Sequence, residues 1–194
     1  GSLVLPAVEQ SARQGQFGEL LMAVDDRGGG QKTTQTKRVV WVSAGDAWES
    51  GSVRFLCLHP ERESGTMNEN AYSECFYVDF GDFTLLLTGD VEGSGEEALL
   101  SELQRRGIGQ LDLLKTAHHG SRNSTTEEFL QQLHPGTAII SCGSNNRYGH
   151  PHAELLNRLE SAGVQWICTK DYGAVIVETD KGGSVKLRGY REEK

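Results

Sequence analysis

The run FTLLLTGDVEGSGEEALLSELQRRGIGQLDLLKTAHHGS, residues 83–121, decides how this chain folds. It reads as an apolar strand ending in Thr88-Gly89-Asp90, then a helix, then a second apolar strand ending in His118-His119-Gly120-Ser121. Each strand delivers polar groups at the point where it stops, which is where open α/β sheets place their active sites. The pattern predicts that the two strand ends face each other across one site.

The composition predicts a single soluble domain. The chain has 194 residues, of which 37% are hydrophobic and 24% are charged, and these values suit one domain with a substantial core. We expect residues 3–190 to form it, with residues 191–194 as a tail. Gly1-Ser2 is typical of the residues that tag cleavage leaves behind. No apolar run reaches the roughly 18 residues that a membrane helix needs.

The charge and the cysteines limit the kinds of partner. A net charge of −8 argues against a broad phosphate-binding surface, although a local basic patch such as residues 32–38 stays possible. The four cysteines are Cys57, Cys75, Cys142 and Cys168, and none forms a C-x-x-C pair. Their spacing favours buried thiols over a zinc knot, and it leaves a disulfide open.

Outward from the central run, apolar periodicity predicts alternating strands and helices. On the upstream side it predicts strands at 3–5, 39–42, 52–58, 72–80 and 83–88, a helix at 17–24 and a glycine-rich loop at 28–37. On the downstream side it predicts helices at 96–106, 125–133 and 151–163, and strands at 111–117, 137–141, 165–168, 174–178 and 184–188. Gly81-Asp82 suits a hairpin turn, Ser124 to Glu127 has capping-box spacing, and Pro151 suits a first helical position. The fold class is therefore α/β.

Asp90 and the histidine pair are the first candidates for chemistry. A carboxylate at a rigid, partly dehydrated strand end needs a cation, although Asp90 could instead cap a helix or shape a turn. Adjacent histidines point in different directions, so one of His118 and His119 could bind a metal while the other meets solvent, substrate or a supporting group. The alternative is a surface loop or a hydrogen-bonded core group.

A third candidate is NNRYGHPH, residues 145–152, which precedes a helix. It is dense in groups that bind phosphate or carry protons, and a helix N-terminus favours anions. We interpret it as a substrate loop, with a simple turn or a metal site as alternatives. Glu154 stands where a dinuclear H-x-H-x-D-H motif would have an aspartate, so His150 and His152 do not belong to such a motif.

These pieces together resemble the metallo-β-lactamase-like domain of ComEC-type DNA-internalisation competence proteins. The matching segments are Asn68, Asn70 and Ser73 in an Asn-x-Asn-x-x-Ser pattern, LLLTGDVE at 85–92, LLKTAHHGSRNST at 113–125 and AIISCGSNNRYGHP at 138–151. Their order and spacing match the C-terminal half of that domain, and residues 3–59 match the part before it. The resemblance covers nearly the whole chain.

The resemblance implies an αββα sandwich with a two-metal hydrolytic site that uses zinc or manganese. Asp90 would bridge the metals, and His118 or His119 would ligate one of them, with His59 as a further ligand. Substrate phosphate would lie against Ser121, Asn146, Tyr148 and His150, with His150 also taking part in catalysis. The implied substrate is DNA, and the implied parent is a bacterial membrane protein that holds this domain outside the cytoplasm.

The chain departs from the family in one respect. None of its six histidines lies in the early H-x-H/D-x-D-H motif that supplies most metal ligands. We therefore expect a partial domain that begins just after that motif, is inactive or nearly so, and lacks the N-terminal part of its own domain as a partner. Such a fragment would self-associate through an exposed strand edge. Alternatives are a stand-alone hydrolase of a small phosphoester such as phosphorylcholine, and a non-catalytic scaffold.

Overall fold

The computed structural model describes residues 2–7, 38–62 and 69–191 and is built on one mixed seven-stranded sheet. The strands are β1 (Ser2–Pro6), β2 (Arg38–Val42), β3 (Ala47–Ser50), β4 (Val53–His59), β5 (Cys75–Phe80), β6 (Phe83–Leu87), β7 (Leu113–Lys115), β8 (Thr137–Ile140), β9 (Gln165–Cys168), β10 (Val175–Thr179) and β11 (Val185–Gly189). The large sheet has the order β3 to β9, so each strand pairs with the next one in the chain. Pairing is antiparallel from β3 to β6 and parallel from β6 to β9.

Helices connect the parallel strands, as parallel pairing requires. They are α1 (Ser94–Arg105), α2 (Glu127–Leu133), α3 (Ala153–Ser161) and, after β9, the single turn α4 (Thr169–Tyr172). The fully buried Leu103, Leu133 and Leu159 come from α1, α2 and α3, and they belong to one core cluster with β6 to β9. The part of the chain that carries the site strands is therefore held by its own local β-α-β packing.

Two small sheets complete the described chain. β1 and β2 pair in parallel, and β10 and β11 form an antiparallel pair. Short 3-10 turns at Glu69–Tyr72 and Ala117–Gly120 precede β5 and follow β7. Among the helices that the structure describes, none combines the length and apolarity needed to cross a membrane.

The α/β class predicted from the sequence is confirmed, and several boundaries are corrected. The segment between the predicted strands at 39–42 and 52–58 contains an unpredicted strand, β3, which forms a β-hairpin with β4. The 72–80 strand begins only at Cys75, and the 111–117 strand covers only residues 113–115. The expected helix at 17–24 and loop at 28–37 lie outside the described residues.

Two helix starts also differ from prediction. Thr126 rather than Ser124 caps α2, because its side chain accepts the Phe129 N–H while the Ser124 hydroxyl donates to the Ala117 carbonyl. Pro151 is not the first helical residue of α3, since His152 is the cap and Ala153 follows it. All four cysteines are free thiols, and Cys57, Cys75 and Cys168 are buried as predicted, whereas Cys142 is only half-buried.

Candidate active site at the ends of two parallel strands

The site is assembled where β6 and β7 end side by side. These strands are parallel neighbours with Leu87 opposite Lys115, so the segments that follow them emerge at the same edge of the sheet. The His118 backbone N–H donates to the Gly89 carbonyl at 3.1 Å and ties the two segments together. Asp90 and the histidine pair are thus brought together, as the pattern of residues 83–121 predicted.

A close backbone approach holds Asp90 in place. Its backbone N–H donates to the Ser73 hydroxyl at 3.0 Å. The preceding Gly89 has a φ of +52°, and a Cβ there would lie 2.9 Å from the Ser73 Cβ. A side chain at this position would push the two segments apart, so glycine is required. The Asp90 side chain remains 38% exposed and accessible to a ligand.

The histidine turn has an unusual backbone conformation. His118 and His119 both have positive φ values, 45° and 56°, in the left-handed region that costs an L-residue roughly 1–2 kcal/mol. Hydrogen bonds to the following segment stabilise the turn. The Ala117 N–H donates to the Thr125 hydroxyl. The buried Glu96 carboxylate in turn accepts the backbone N–H groups of Thr125 and Thr126. Such stored strain is typical of functional sites.

His119 is the histidine that faces Asp90. Its Nδ1 lies 2.8 Å from the Ser141 carbonyl oxygen, and because a carbonyl can only accept, Nδ1 carries the hydrogen. In the neutral ring the lone pair is then on Nε2, which lies 3.4 Å from Asp90 Oδ2. Two electron-rich atoms that face each other favour a proton or a cation between them.

His118 turns the other way, toward a carboxylate that the sequence did not single out. Its Nδ1 lies 2.9 Å from Glu92 Oε2, and the other oxygen of Glu92 accepts from the Asn70 side chain at 3.0 Å. Burial alone would raise the pKa of Glu92, but the hydrogen bonds from Asn70 and His118 outweigh it and lower that pKa. Glu92 is therefore an anion that orients the His118 ring.

Lys115 supplies positive charge beside Asp90. Its ammonium group donates to the Gly89 and Thr116 carbonyls at 3.0 and 3.1 Å, so it links the segments that follow β6 and β7. Burial lowers the pKa of Lys115, while the negative charge of Asp90 opposes that shift. This lysine partly meets the need for a cation near Asp90.

The loop that carries His150 closes the site on a third side. The Asn146 side chain accepts the His150 N–H and donates to the carbonyls of His150 and Gly143, all at 2.7 Å. The His150 ring lies 5.6 Å from that of His118 and 6.3 Å from that of His119. Burial and the neighbouring histidines, His152 above all, lower the pKa of His150. The ring is consequently kept neutral near pH 7.

The remaining predicted residues, Tyr148, Ser121 and His59, lie in different environments. Tyr148 is 62% exposed, with its ring 5.8 Å from that of His150 and its hydroxyl accepting from Arg147. Ser121 is buried, and its hydroxyl accepts the Asn123 N–H inside the turn. His59 is also buried, with Nε2 bonded to the Ala71 carbonyl at 2.6 Å. The structure thus brings Tyr148 to the rim and turns Ser121 and His59 inward.

The Asp90–His119 pair has the right chemistry for part of a metal site. Two ligands of a tetrahedral zinc at ordinary bond lengths are about 3.4 Å apart, which is the separation of Oδ2 and Nε2 here. In the parts of the chain that the structure describes, however, no three His, Cys, Asp or Glu side chains are grouped to hold a metal. The pair fits two positions of a ligand set and does not complete one.

Sequence reasoning missed the supporting residues Glu92, Asn70 and Lys115. Both Glu92 and Asn70 lie inside motifs that were quoted for the resemblance, and Lys115 ends the strand before the histidines. A polar residue that ends an apolar strand next to a candidate site is a signal that would have found Lys115. The Asn70–Glu92 contact spans 22 residues and has no local sequence signal.

Comparison with known proteins places this site in a wider context. Residues 66–144 match the model of the metallo-beta-lactamase superfamily. The chain is 35% identical over 147 residues to "ComE operon protein 3" of Bacillus subtilis. It is 31% identical over 150 residues to "Recombination protein 2" of Haemophilus influenzae. It is 32% identical over 146 residues to "Competence protein ComA" of Neisseria gonorrhoeae. These matches cover 76%, 77% and 74% of this chain but only 17%, 17% and 21% of the relatives.

Proposed function

We propose that this chain forms part of a metal-dependent phosphodiesterase that cleaves DNA during uptake. Two findings support the proposal: residues 66–144 match the metallo-beta-lactamase superfamily, and the chain is similar to competence proteins. The observation that carries the proposal is the Asp90–His119 pair. It stands at the carboxyl ends of two parallel strands with the spacing of two zinc ligands.

Asp90 and His119 would hold a divalent ion, zinc or manganese, together with ligands from outside the described residues. The undescribed ranges 8–37 and 63–68 contain no histidine, so further imidazole ligands would come from a longer chain or a partner. When bound, such an ion acts as a Lewis acid that neutralises phosphate charge. The chain alone is therefore expected to have little or no activity.

The other groups at the site have supporting roles in this proposal. Ser141 fixes the His119 tautomer through its carbonyl, and Glu92 fixes the orientation of His118. His118 and the neutral His150 would face the substrate phosphate, and Tyr148 would lie beside the rest of the nucleotide at the exposed rim. Lys115 limits the repulsion between Asp90 and an approaching phosphate.

The test compares the chain with a longer form that includes the residues preceding it in its parent gene. Both are incubated with labelled single-stranded DNA and either zinc or manganese. We expect cleavage by the longer form and its loss, by at least about 100-fold, in the Asp90→Asn and His119→Asn variants, because a metal ligand is removed.

A matched control separates the metal role from backbone effects. His134 is an exposed histidine with a φ of 38° and is not one of the predicted site residues, so His134→Asn makes the same change in the same left-handed conformation outside the site. It should leave cleavage unchanged. Full DNA cleavage by His119→Asn would refute the proposal. Hydrolysis of phosphorylcholine esters without DNA cleavage would replace DNA with a small phosphoester as substrate.

A further inference from the structure

The structure also brings together two thiols that take no part in the proposed site. Cys142 follows β8 and Cys168 ends β9, and these strands are parallel neighbours with Ile140 opposite Cys168. The two Sγ atoms lie 3.4 Å apart. The other two cysteines, Cys57 and Cys75, are buried and point their thiols at backbone carbonyls.

The backbone around the thiol pair is already held in place. The Thr169 hydroxyl accepts the Cys142 N–H and donates to the Cys142 carbonyl, both at 2.9 Å. A disulfide has an S–S distance of about 2.05 Å, so the sulfurs need to approach by roughly 1.4 Å. Rotation of the half-buried Cys142 side chain can supply that movement.

We propose that Cys142 and Cys168 are a disulfide-forming pair that is oxidised by a small disulfide such as oxidised glutathione. The Cys142 thiol, the more exposed of the two, loses its proton, and its thiolate attacks the small disulfide, forming a mixed disulfide and releasing one thiolate. The Cys168 thiol loses its proton in turn and attacks the Cys142 sulfur, which releases the second thiolate. The released thiolates take up the two protons, and the two electrons lost by the protein reduce the oxidant.

Burial and the neighbouring Cys168 raise the pKa of Cys142 to about 12. Few thiolates are therefore present near neutral pH, and oxidation is expected to be slow. The same property makes Cys142 a poor leaving group, so the disulfide should resist small-thiol reductants once it has formed. These features suit a lasting covalent link.

The link would stabilise a segment that contacts the proposed site. Ser141, the residue before Cys142, provides the carbonyl that accepts the His119 Nδ1–H at 2.8 Å. A covalent bond at Cys142 fixes that carbonyl against β9. The inference does not depend on the proposed function, because thiol chemistry can be measured without metal or DNA.

The test incubates the folded chain with oxidised glutathione, blocks the remaining thiols in denaturant and maps the peptides by mass spectrometry. We expect a pair of peptides joined by a disulfide between Cys142 and Cys168. The number of free thiols should fall from four to two. The melting temperature of the oxidised protein should drop by roughly 5–10 °C on full reduction. Cys142→Ser should keep its fold, retain three thiols and lose this sensitivity to reductant.

Three outcomes would overturn the proposal. One is four free thiols after prolonged oxidation of the folded chain. Another is a mixed disulfide between Cys142 and glutathione that persists because the Cys168 thiol does not displace the glutathione. The third is a mapped disulfide between Cys57 and Cys75 instead. Because Cys168 is fully buried, Cys142→Ser is the main variant and Cys168→Ser is a second check in which Cys142 should accumulate the glutathione adduct.

Discussion

The histidine turn packs against the His150 loop at Gly120. Replacing Gly120 by alanine tests that packing. The φ of Gly120 is +88°, and an added Cβ would lie 2.8 Å from the Pro151 Cβ, 3.1 Å from the Ile140 Cγ2 and 3.1 Å from the Leu155 Cδ2. The Gly120 carbonyl also accepts the His152 N–H at 3.0 Å. The substitution therefore forces apart the two segments that form the site.

The expected cost has two parts. An alanine in the left-handed region costs roughly 1–2 kcal/mol. Overpacking against three buried neighbours adds roughly 1–3 kcal/mol. Gly120→Ala should thus lower the free energy of unfolding by about 2–5 kcal/mol, measured by urea unfolding at an unchanged m-value.

Gly149→Ala is the matched control, because Gly149 has a φ of +76° and a Cβ there would meet nothing within 4 Å. It should show only the backbone cost of about 1–2 kcal/mol. The difference between the two variants then measures the packing contact. Equal destabilisation by the two variants, within about 0.5 kcal/mol, would contradict the close packing of Gly120 against Pro151.

Three further predictions concern charge and burial. Burial raises the pKa of Glu74 from 4.5 to about 7, so the stabilising contribution of Glu74 is present below about pH 4.5 and is lost as the pH rises through 7. In urea unfolding between about pH 5 and pH 8, Glu74→Gln should reduce the loss of stability with rising pH by roughly 1 kcal/mol. A Glu74→Gln protein with the same pH dependence as the original would contradict this prediction. Glu96→Ala should cost roughly 2–4 kcal/mol because two backbone N–H groups lose their acceptor, whereas the exposed Glu97→Ala should stay within about 0.5 kcal/mol. With a net charge of −8, the chain should bind labelled single-stranded DNA weakly and in a salt-sensitive manner, and a dissociation constant below about 1 μM at physiological salt would contradict this.

Much of the sheet was predictable because its strands are apolar runs that pair with their chain neighbours. The strand before Asp90 and the strand before His118 are buried and parallel, so their ends had to meet at one edge. The strand at Ala47–Ser50 was missed because all four residues are exposed and lack an apolar face. Its position is set by pairing with Val53 to Leu56, which carries no local signal.

The details of the site depended on contacts between residues distant in sequence. Ser124 was predicted to cap α2 from its local spacing, but it serves the histidine turn, and Thr126 takes the capping role. Which histidine faces Asp90 could not be predicted, because the left-handed backbone at His118 and His119 sets both ring directions. That conformation is held partly by Glu96, which binds the backbone N–H groups of Thr125 and Thr126 and lies 22 residues before His118 in sequence.

Zinc titration by calorimetry, with elemental analysis of the dialysed protein, tests most directly whether Asp90 and His119 supply half of a metal ligand set. The chain should hold at most one ion, with a dissociation constant above about 10 μM, because two ligands are half of a tetrahedral set. That binding should disappear in Asp90→Asn and His119→Asn and persist in His134→Asn, while the longer form should hold two ions tightly. Two tightly bound ions on the chain alone, or binding that survives both Asp90→Asn and His119→Asn, would show that these two residues are not half of the ligand set.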